Sequence, residues 1–543
     1  MMKKLLVCTL LIMLLTFGLV VAACTPSQYA WEKLPVSDDV DPMYKDYYHI
    51  FVYSFADSND DGIGDLKGIE EKLDYIADLG YTGIYLSPIS PSPTYHKYDV
   101  TDYKAVDKQF GTMADFDSLV AAAHKRGISV MLDMVINHSS NQHPWFDQSR
   151  AAWRSGDTSN RYYDYYTFLD VNGNSYKTFE NYTAMPKLNL DSEGVRQEID
   201  DICKFWLETH KVDAFRLDAA YHFYGNAGKN IDFMRWLMST ARKYNENVYM
   251  VGEVWMDENT IYSHYAEDSV QSFMDFTLSN SGVNPLYQAL NSGNQALYAK
   301  VVKEAEEGTA KGINALFVSN HDTSRISNLG LSYYSDRAEA VTEENMMRHK
   351  MGIAMLYTMA GNVFNYYGNE IGLRNGSRTY TGSDYVDQTY RIAMNWGNSN
   401  VDSHANGFAY KAYGATLHRG FGEYDDKLGG VDVQLKDQDS LYNFNRRLML
   451  LRRQNPEIAR GKSTVLVSPD SKVAFILRTY NGSSVLLVYN LDSANAHELD
   501  VSAMLAQNGL KGDLVGFLTS RFQDQVKLGG KLKLPAYSVA VIK

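Results

Sequence analysis

Eight strand-length runs of apolar, β-branched and aromatic residues, at 47–55, 81–89, 128–136, 212–219, 248–255, about 269–277, 313–319 and 361–367, alternate with longer amphipathic segments such as 66–79, 112–126, 194–210, 230–245, 296–307, 337–359 and 439–453. A strand that is apolar along its whole length is buried on both faces, the state of a strand in a parallel sheet covered by helices. Parallel pairing also requires a long crossover between strands, and a helix is the usual one. Eight such repeats predict an α/β fold, a parallel (β/α)8 or TIM barrel, with the sixth strand the most weakly marked.

Two stretches break this rhythm. Residues 138–190, after the third strand, are rich in Tyr, Asn, Asp, Ser and Gly, show little helical period and are far longer than an ordinary strand-to-helix loop. They predict an inserted subdomain over the barrel's active face. Beyond about residue 458, short alternating runs are punctuated by Asn-Gly, Asp-Ser and Gly-Gly, which predicts a C-terminal antiparallel β-sandwich domain over 458–543. The barrel then comprises 46–137 and 191–457. A chain of 543 residues exceeds what one hydrophobic core usually organises, in keeping with this division.

The amino terminus carries Lys3 and Lys4, an apolar run over 5–21, and then Ala22-Ala23-Cys24. A basic start, a short apolar stretch and small residues before a cut site predict a secretory signal over 1–23. Val21-Ala22-Ala23-Cys24 also resembles a bacterial lipobox, which implies an acylated Cys24, a tether over 24–45, and a protein held by lipid on the extracellular face of a bacterial membrane. Cys8 leaves with the leader, so only Cys203 remains and no internal disulfide is expected. The net charge is −13 and no Lys/Arg-rich block occurs, which argues against a nucleic-acid partner. A monomer is expected.

Barrel enzymes carry their chemistry at the C-terminal ends of the strands. Here those ends are unusually polar: Asp133 to Asn137-His138 after the third, Arg216 and Asp218 to His222 after the fourth, Glu253 after the fifth, and Asn320-His321-Asp322 after the seventh. Any one of them is explicable as a buried ion pair or a strand cap. Four polar ends on one rim point to chemistry. Three carboxylates with an Arg and two His suit glycoside hydrolysis, in which one carboxylate attacks or stabilises an oxocarbenium-like centre and another, protonated, assists the leaving oxygen.

These four segments, in this order and spacing, resemble the four sequence regions of the α-amylase family of retaining glycoside hydrolases. The resemblance runs from about residue 47 to the C-terminus. It implies Asp218 as nucleophile, Glu253 as general acid/base and Asp322 as the carboxylate that holds the sugar's hydroxyls. It further implies that Arg216 keeps Asp218 ionised, that His138 and His321 bond the sugar beside the cut, and that Asp133 is mainly structural. Glu253, flanked by Val254 and Trp255, suits the protonated role. Tyr95-His96-Lys97-Tyr98-Asp99 resembles a family segment in which the Tyr98 position stacks on the sugar and the His96 position bonds it, with Lys97 where a Gly is usual. Gly368-Asn369-Glu370-Ile371-Gly372 and Arg391-Ile392-Ala393-Met394-Asn395-Trp396 resemble later family segments.

Met185-Pro186-Lys187-Leu188-Asn189 resembles the form found in neopullulanases and in the group intermediate between oligo-1,6-glucosidases and amylases. Many amylases place a Ca2+-binding Asp where Lys187 stands, and a cation cannot ligate Ca2+. A different Ca2+ site is implied by Asp57-Ser58-Asn59-Asp60-Asp61-Gly62-Ile63-Gly64-Asp65, which resembles the loop after the first strand in oligosaccharide-cleaving relatives, with ligands Asp57, Asn59, Asp61, Asp65 and the Ile63 carbonyl. Ala219 and His222 resemble the α-1,4-cleaving side of the family, although Tyr221 replaces a frequent Lys. Cleavage of α-1,4 bonds in starch or maltooligosaccharides is therefore expected. A neopullulanase-like or α-1,6-cleaving enzyme and a non-catalytic glucan-binding lipoprotein are the alternatives.

Overall fold

The structure is a computed structural model that describes residues 29–279, 285–328, 342–375, 387, 389–397 and 428–543. The expected signal over 1–23 and Cys24 lie outside these residues. Eight strands close a barrel: β1 (Tyr47–Ile50), β2 (Gly83–Leu86), β3 (Ser129–Met134), β4 (Ala214–Leu217), β5 (Tyr249–Gly252), β6 (Ser272–Met274), β7 (Ile313–Leu316) and β8 (Asn362–Tyr366). Each pairs in parallel with its chain neighbours, and β8 pairs with β1 to remove every edge. The eight expected strands are all present, and β6 is the shortest. Their residues are almost wholly buried, as continuous apolar runs require.

Packed aromatic rings fill the barrel interior. Tyr47 on β1 stacks on Phe364 at 4.9 Å and on Tyr249 at 5.8 Å. Gly83 on β2 makes that possible, because a Cβ there would lie 2.5 Å from the Tyr47 ring. Around the barrel run helices such as Met113–Lys125, opened by a Thr112/Asp115 capping box, and Ala227–Arg242.

The insert after β3 contains a helix that its composition conceals, Pro144–Ser155. Pro144 occupies its first turn, the His143 ring accepts the Trp145 N–H, and Gly156 ends it in the left-handed region at φ 66°. Its buried face is only Phe146, Ser149 and Ala152, too sparse to read as a helical period. Tyr165 and Tyr166 are buried within the insert, while Tyr182 is exposed. A hairpin follows, Thr178–Phe179 against Tyr182–Pro186.

After residue 458 come two antiparallel sheets, one of five strands and one of three. Helix Leu441–Gln454 runs beneath both the barrel and this C-terminal domain. Within the segment expected to be a tether, residues 29–34 are docked: Tyr29 and Trp31 are buried against Phe517, and the Gln454 side chain donates to the carbonyls of Trp31 and Leu34.

Candidate active site

Arg216 on β4 is the hub of the strand-end cluster. In-register pairing sets it beside Asp133 of β3, and the two side chains share the inner face of the barrel. Its Nη1 donates to both Asp133 oxygens, at 2.9 and 3.0 Å, and to Asp218 Oδ1 at 2.8 Å, while Nη2 lies 2.7 Å from Glu253 Oε1. Tyr85 and Tyr98 donate their hydroxyls to Asp133 Oδ2 at 2.6 and 2.9 Å. Asp133 thus fixes the guanidinium, and the guanidinium fixes the two carboxyls that follow β4 and β5.

The turn after β4 completes this arrangement. Ala219 adopts φ 49°, which aims its N–H at Glu253 Oε2, 2.8 Å away, and the Tyr221 N–H reaches the Glu253 carbonyl. Gly252, just before Glu253, admits the Phe273 ring where a Cβ would sit 2.8 Å from it. Three carboxylates around one guanidinium leave an excess of negative charge in a largely buried site. Burial therefore raises the pKa values of Asp218 and Glu253 above the usual carboxylate range, with Arg216 opposing in both cases. They titrate as a pair.

Arg216 favours the ionised form of Asp218, through both its charge and its hydrogen bond, while dividing its charge among Asp133, Asp218 and Glu253. Trp255 does not bury Glu253: the residue is 47% exposed and its ring stacks on Phe276 at 4.8 Å. The raised Glu253 carboxyl follows from its own burial.

Asp322, beyond β7, behaves oppositely. Burial would raise it, but His321 at 3.0 Å and Arg391 at 2.7 Å outweigh that and hold it well below the usual range. Arg391 is itself held by the His321 carbonyl, the Tyr95 hydroxyl and Asp387. The Tyr98 hydroxyl bridges His321 Nε2 and Asp133, at 2.5 and 2.9 Å. His138 is buried with its Nε2 3.1 Å from the Tyr98 carbonyl, and burial pushes it down to about 3. Burial and then Arg391 push His96 down to about 4, and its Nδ1 accepts the Tyr98 N–H. Both imidazoles are neutral at pH 7, each with one donor and one acceptor.

Lys97 adopts a left-handed conformation, the region that favours glycine, at φ 66°, and its ammonium is buried against Asp107 at 2.7 Å and Gln109 at 2.6 Å. The side chain compensates locally for the backbone strain. Lys187 donates to the His222 carbonyl, so a covalently attached cation ties the insert to the turn after β4. The His222 ring lies 3.5 Å from Glu180 and meets the Phe179 ring edge-on at 5.1 Å, while Phe179 stacks on His138 at 4.8 Å. Sequence reasoning missed Tyr85, Phe179, Glu180 and the pairing of Arg391 with Asp322. Only Arg391 had a signal, as part of a family segment.

In the 57–65 loop, Asp57 accepts the N–H groups of Asn59 and Gly62, Asn59 that of Asp61, and Asp61 that of Ile63. Asp65 accepts from Ser58 and caps the helix at Leu66 through the Gly68 N–H. The donors are all hard oxygens, the type Ca2+ takes. Among the described residues, however, no three acidic, His or Cys side chains converge closely enough to hold a metal.

A closed parallel barrel with buried carboxylates at the ends of β4 and β5 and beyond β7 defines a glycoside hydrolase. Residues 49–461 match the family model described as alpha amylase, catalytic domain, and the chain belongs to the alpha-amylase family. It is 32% identical over 467 residues to "Alpha-amylase 3" of Dictyoglomus thermophilum, covering 83% of this chain and 86% of that protein. It is 27% identical over 525 residues to an oligo-1,6-glucosidase of Parageobacillus thermoglucosidasius, covering 82% and 89%. Among solved structures it is similar to Eubacterium rectale Amy13B, with TM-score 0.80, 35% identity and coverage of 94% and 97%.

Proposed function

We propose that this glycoside hydrolase cleaves α-1,4-glucosidic bonds of starch or maltooligosaccharides with retention, through a covalent glycosyl-enzyme on Asp218. The observation that carries this reading is the single guanidinium of Arg216 holding both Asp218 and Glu253. That sharing keeps the two carboxyls close and is compatible with the separation of about 5–5.5 Å that retaining enzymes use. The raised pKa of Glu253 keeps a proton on its carboxyl, and Glu253 delivers that proton to the leaving oxygen as Asp218, ionised against Arg216, attacks the anomeric carbon. Glu253 then takes a proton from the water that releases the sugar. Asp322, ionised throughout, accepts hydroxyls, and neutral His138 and His96, together with His321 and Tyr98, complete the sugar-binding wall.

Ala219 and His222 support the α-1,4 preference. Initial rates on maltoheptaose, pullulan and isomaltose test it: fast maltoheptaose cleavage is expected, and rapid isomaltose cleavage with little attack on maltoheptaose would overturn it. The oxygen-rich 57–65 loop supports a structural Ca2+, which would draw Asp57, Asn59, Asp61, the Ile63 carbonyl and Asp65 away from their present N–H partners. Residues 1–24 support export and lipid attachment at Cys24. Membrane fractionation of the wild type and C24S tests this, with loss of membrane association in the variant expected.

A further inference from the structure

The hairpin of the insert ends in a turn that its sequence does not favour. Phe179 pairs with Tyr182, and the two residues between them, Glu180 and Asn181, have φ 43° and 68°. Two consecutive positive φ values make a type I′ turn, which favours Asn, Asp or Gly at both positions. Asn181 fits and Glu180 does not, because its long side chain gains nothing from the turn. The strained residue is also the one that faces the cleft: its carboxylate lies 3.5 Å from His222 Nε2, and both side chains remain open to solvent, at 53% and 38%.

The position of this pair relative to the chemistry is fixed. The 219–222 turn hangs from Glu253, through the Ala219 N–H on the carboxylate and the Tyr221 N–H on the carbonyl. Glu253 is the group that meets the leaving oxygen, so the turn borders the space into which the departing sugar moves. The insert grips this turn three times: Lys187 on the His222 carbonyl, the Phe179 ring against the His222 ring, and Glu180 on its Nε2.

We propose that Glu180 determines specificity on the leaving-group side of the cleft, its carboxylate accepting hydroxyls of the departing glucose unit beside the His222 imidazole. The inference rests on the α-glucan reading above. An ionised carboxylate is a strong acceptor for a sugar hydroxyl, and the I′ turn fixes the backbone that carries it beside the His222 ring. The same contact would hold a sugar acceptor when it competes with water for the glycosyl-enzyme.

The test compares two substrates that differ only on that side, maltotetraose and α-maltosyl fluoride. With the fluoride, Asp218 attacks C1, the C–F bond breaks, and fluoride leaves with the electron pair, making no contact with Glu180. In E180Q and E180A, kcat/KM for maltotetraose is expected to fall by roughly tenfold, with that for α-maltosyl fluoride within about twofold of wild type. The yield of transfer products from added maltose should fall in parallel. Equal losses on both substrates would show a merely structural role and overturn the proposal, as would unchanged maltotetraose kinetics. A wild-type protein that hydrolyses neither substrate would overturn the glucan reading itself.

Discussion

Two acid-rich regions of this molecule look alike in composition and differ in construction. The 57–65 loop gathers Asp57, Asn59, Asp61 and Asp65 within nine residues, and each side chain serves N–H groups of its own loop. The strand-end cluster gathers Asp133, Asp218, Glu253 and Asp322 from positions spread over 190 residues of chain, and buried arginines hold them. Local acids satisfied by their own backbone can exchange those partners for a hard cation. Distant acids forced together without water acquire divided protonation, with the Asp218/Glu253 pair pushed up and Asp322 held down. Proximity in sequence builds a turn, whereas convergence in space builds reactivity.

The sharpest way to break this comparison is D218N. Hydrolysis of maltooligosaccharides should fall by roughly 10^4-fold or more. The fold should not suffer. A carboxyl whose folded pKa is raised binds more protons when folded than when unfolded, so stability falls as pH rises from the ordinary carboxylate range toward the raised value. Removing that group should leave Tm at pH 7 unchanged or higher, and a lowered Tm would show that the pair stabilises the fold.

Next in size is E253Q. Loss on maltotetraose should be about 10^2–10^4-fold, with a smaller loss on α-maltosyl fluoride, whose departure needs no proton. In the wild type, loss of the Glu253 proton makes kcat/KM decline as pH rises through its raised pKa. A pH profile flat on the alkaline side would contradict the protonation scheme.

R391M should have a smaller effect. Without its arginine, Asp322 loses a cation that counters its burial, and its pKa should rise. KM and kcat should both worsen, by roughly 10–100-fold in kcat/KM, with an acid limb displaced upward in pH. An unchanged acid limb would mean that Asp322 stays ionised without Arg391.

The smallest effect is expected at the loop. A chelator should lower Tm by a few degrees, and D61N should abolish that response while leaving kcat near wild type. An unchanged melting curve would mean that the loop is held by its N–H contacts alone.

What was legible in the sequence follows the same division. The eight strands could be read because residues buried on both faces are apolar throughout, and the four polar strand ends stood out against them. Helix Pro144–Ser155 was not legible, because a helix lying across a small subdomain buries only Phe146, Ser149 and Ala152 and leaves no stripe. Nor could spacing reveal that Arg391 reaches Asp322, 69 residues away, or that Glu180 reaches His222 from the tip of a hairpin. Nor could the sequence show that Lys97, standing where a glycine is usual, takes a left-handed backbone and buries its ammonium on Asp107 and Gln109. A sequence shows that Arg216 is near Asp218 but not how many carboxylates share it.

The central claim is that Asp218 forms a covalent bond to the sugar. Incubation with a 5-fluoro-α-glucosyl fluoride, which slows release of the glycosyl-enzyme, followed by proteolysis and mass spectrometry, tests it directly. A single adduct on the peptide containing Asp218, with α-configured sugar as the first product of maltooligosaccharide cleavage, is the expected result. No adduct, together with β-configured first product, would mean that water attacks the substrate directly and that Asp218 is not the nucleophile.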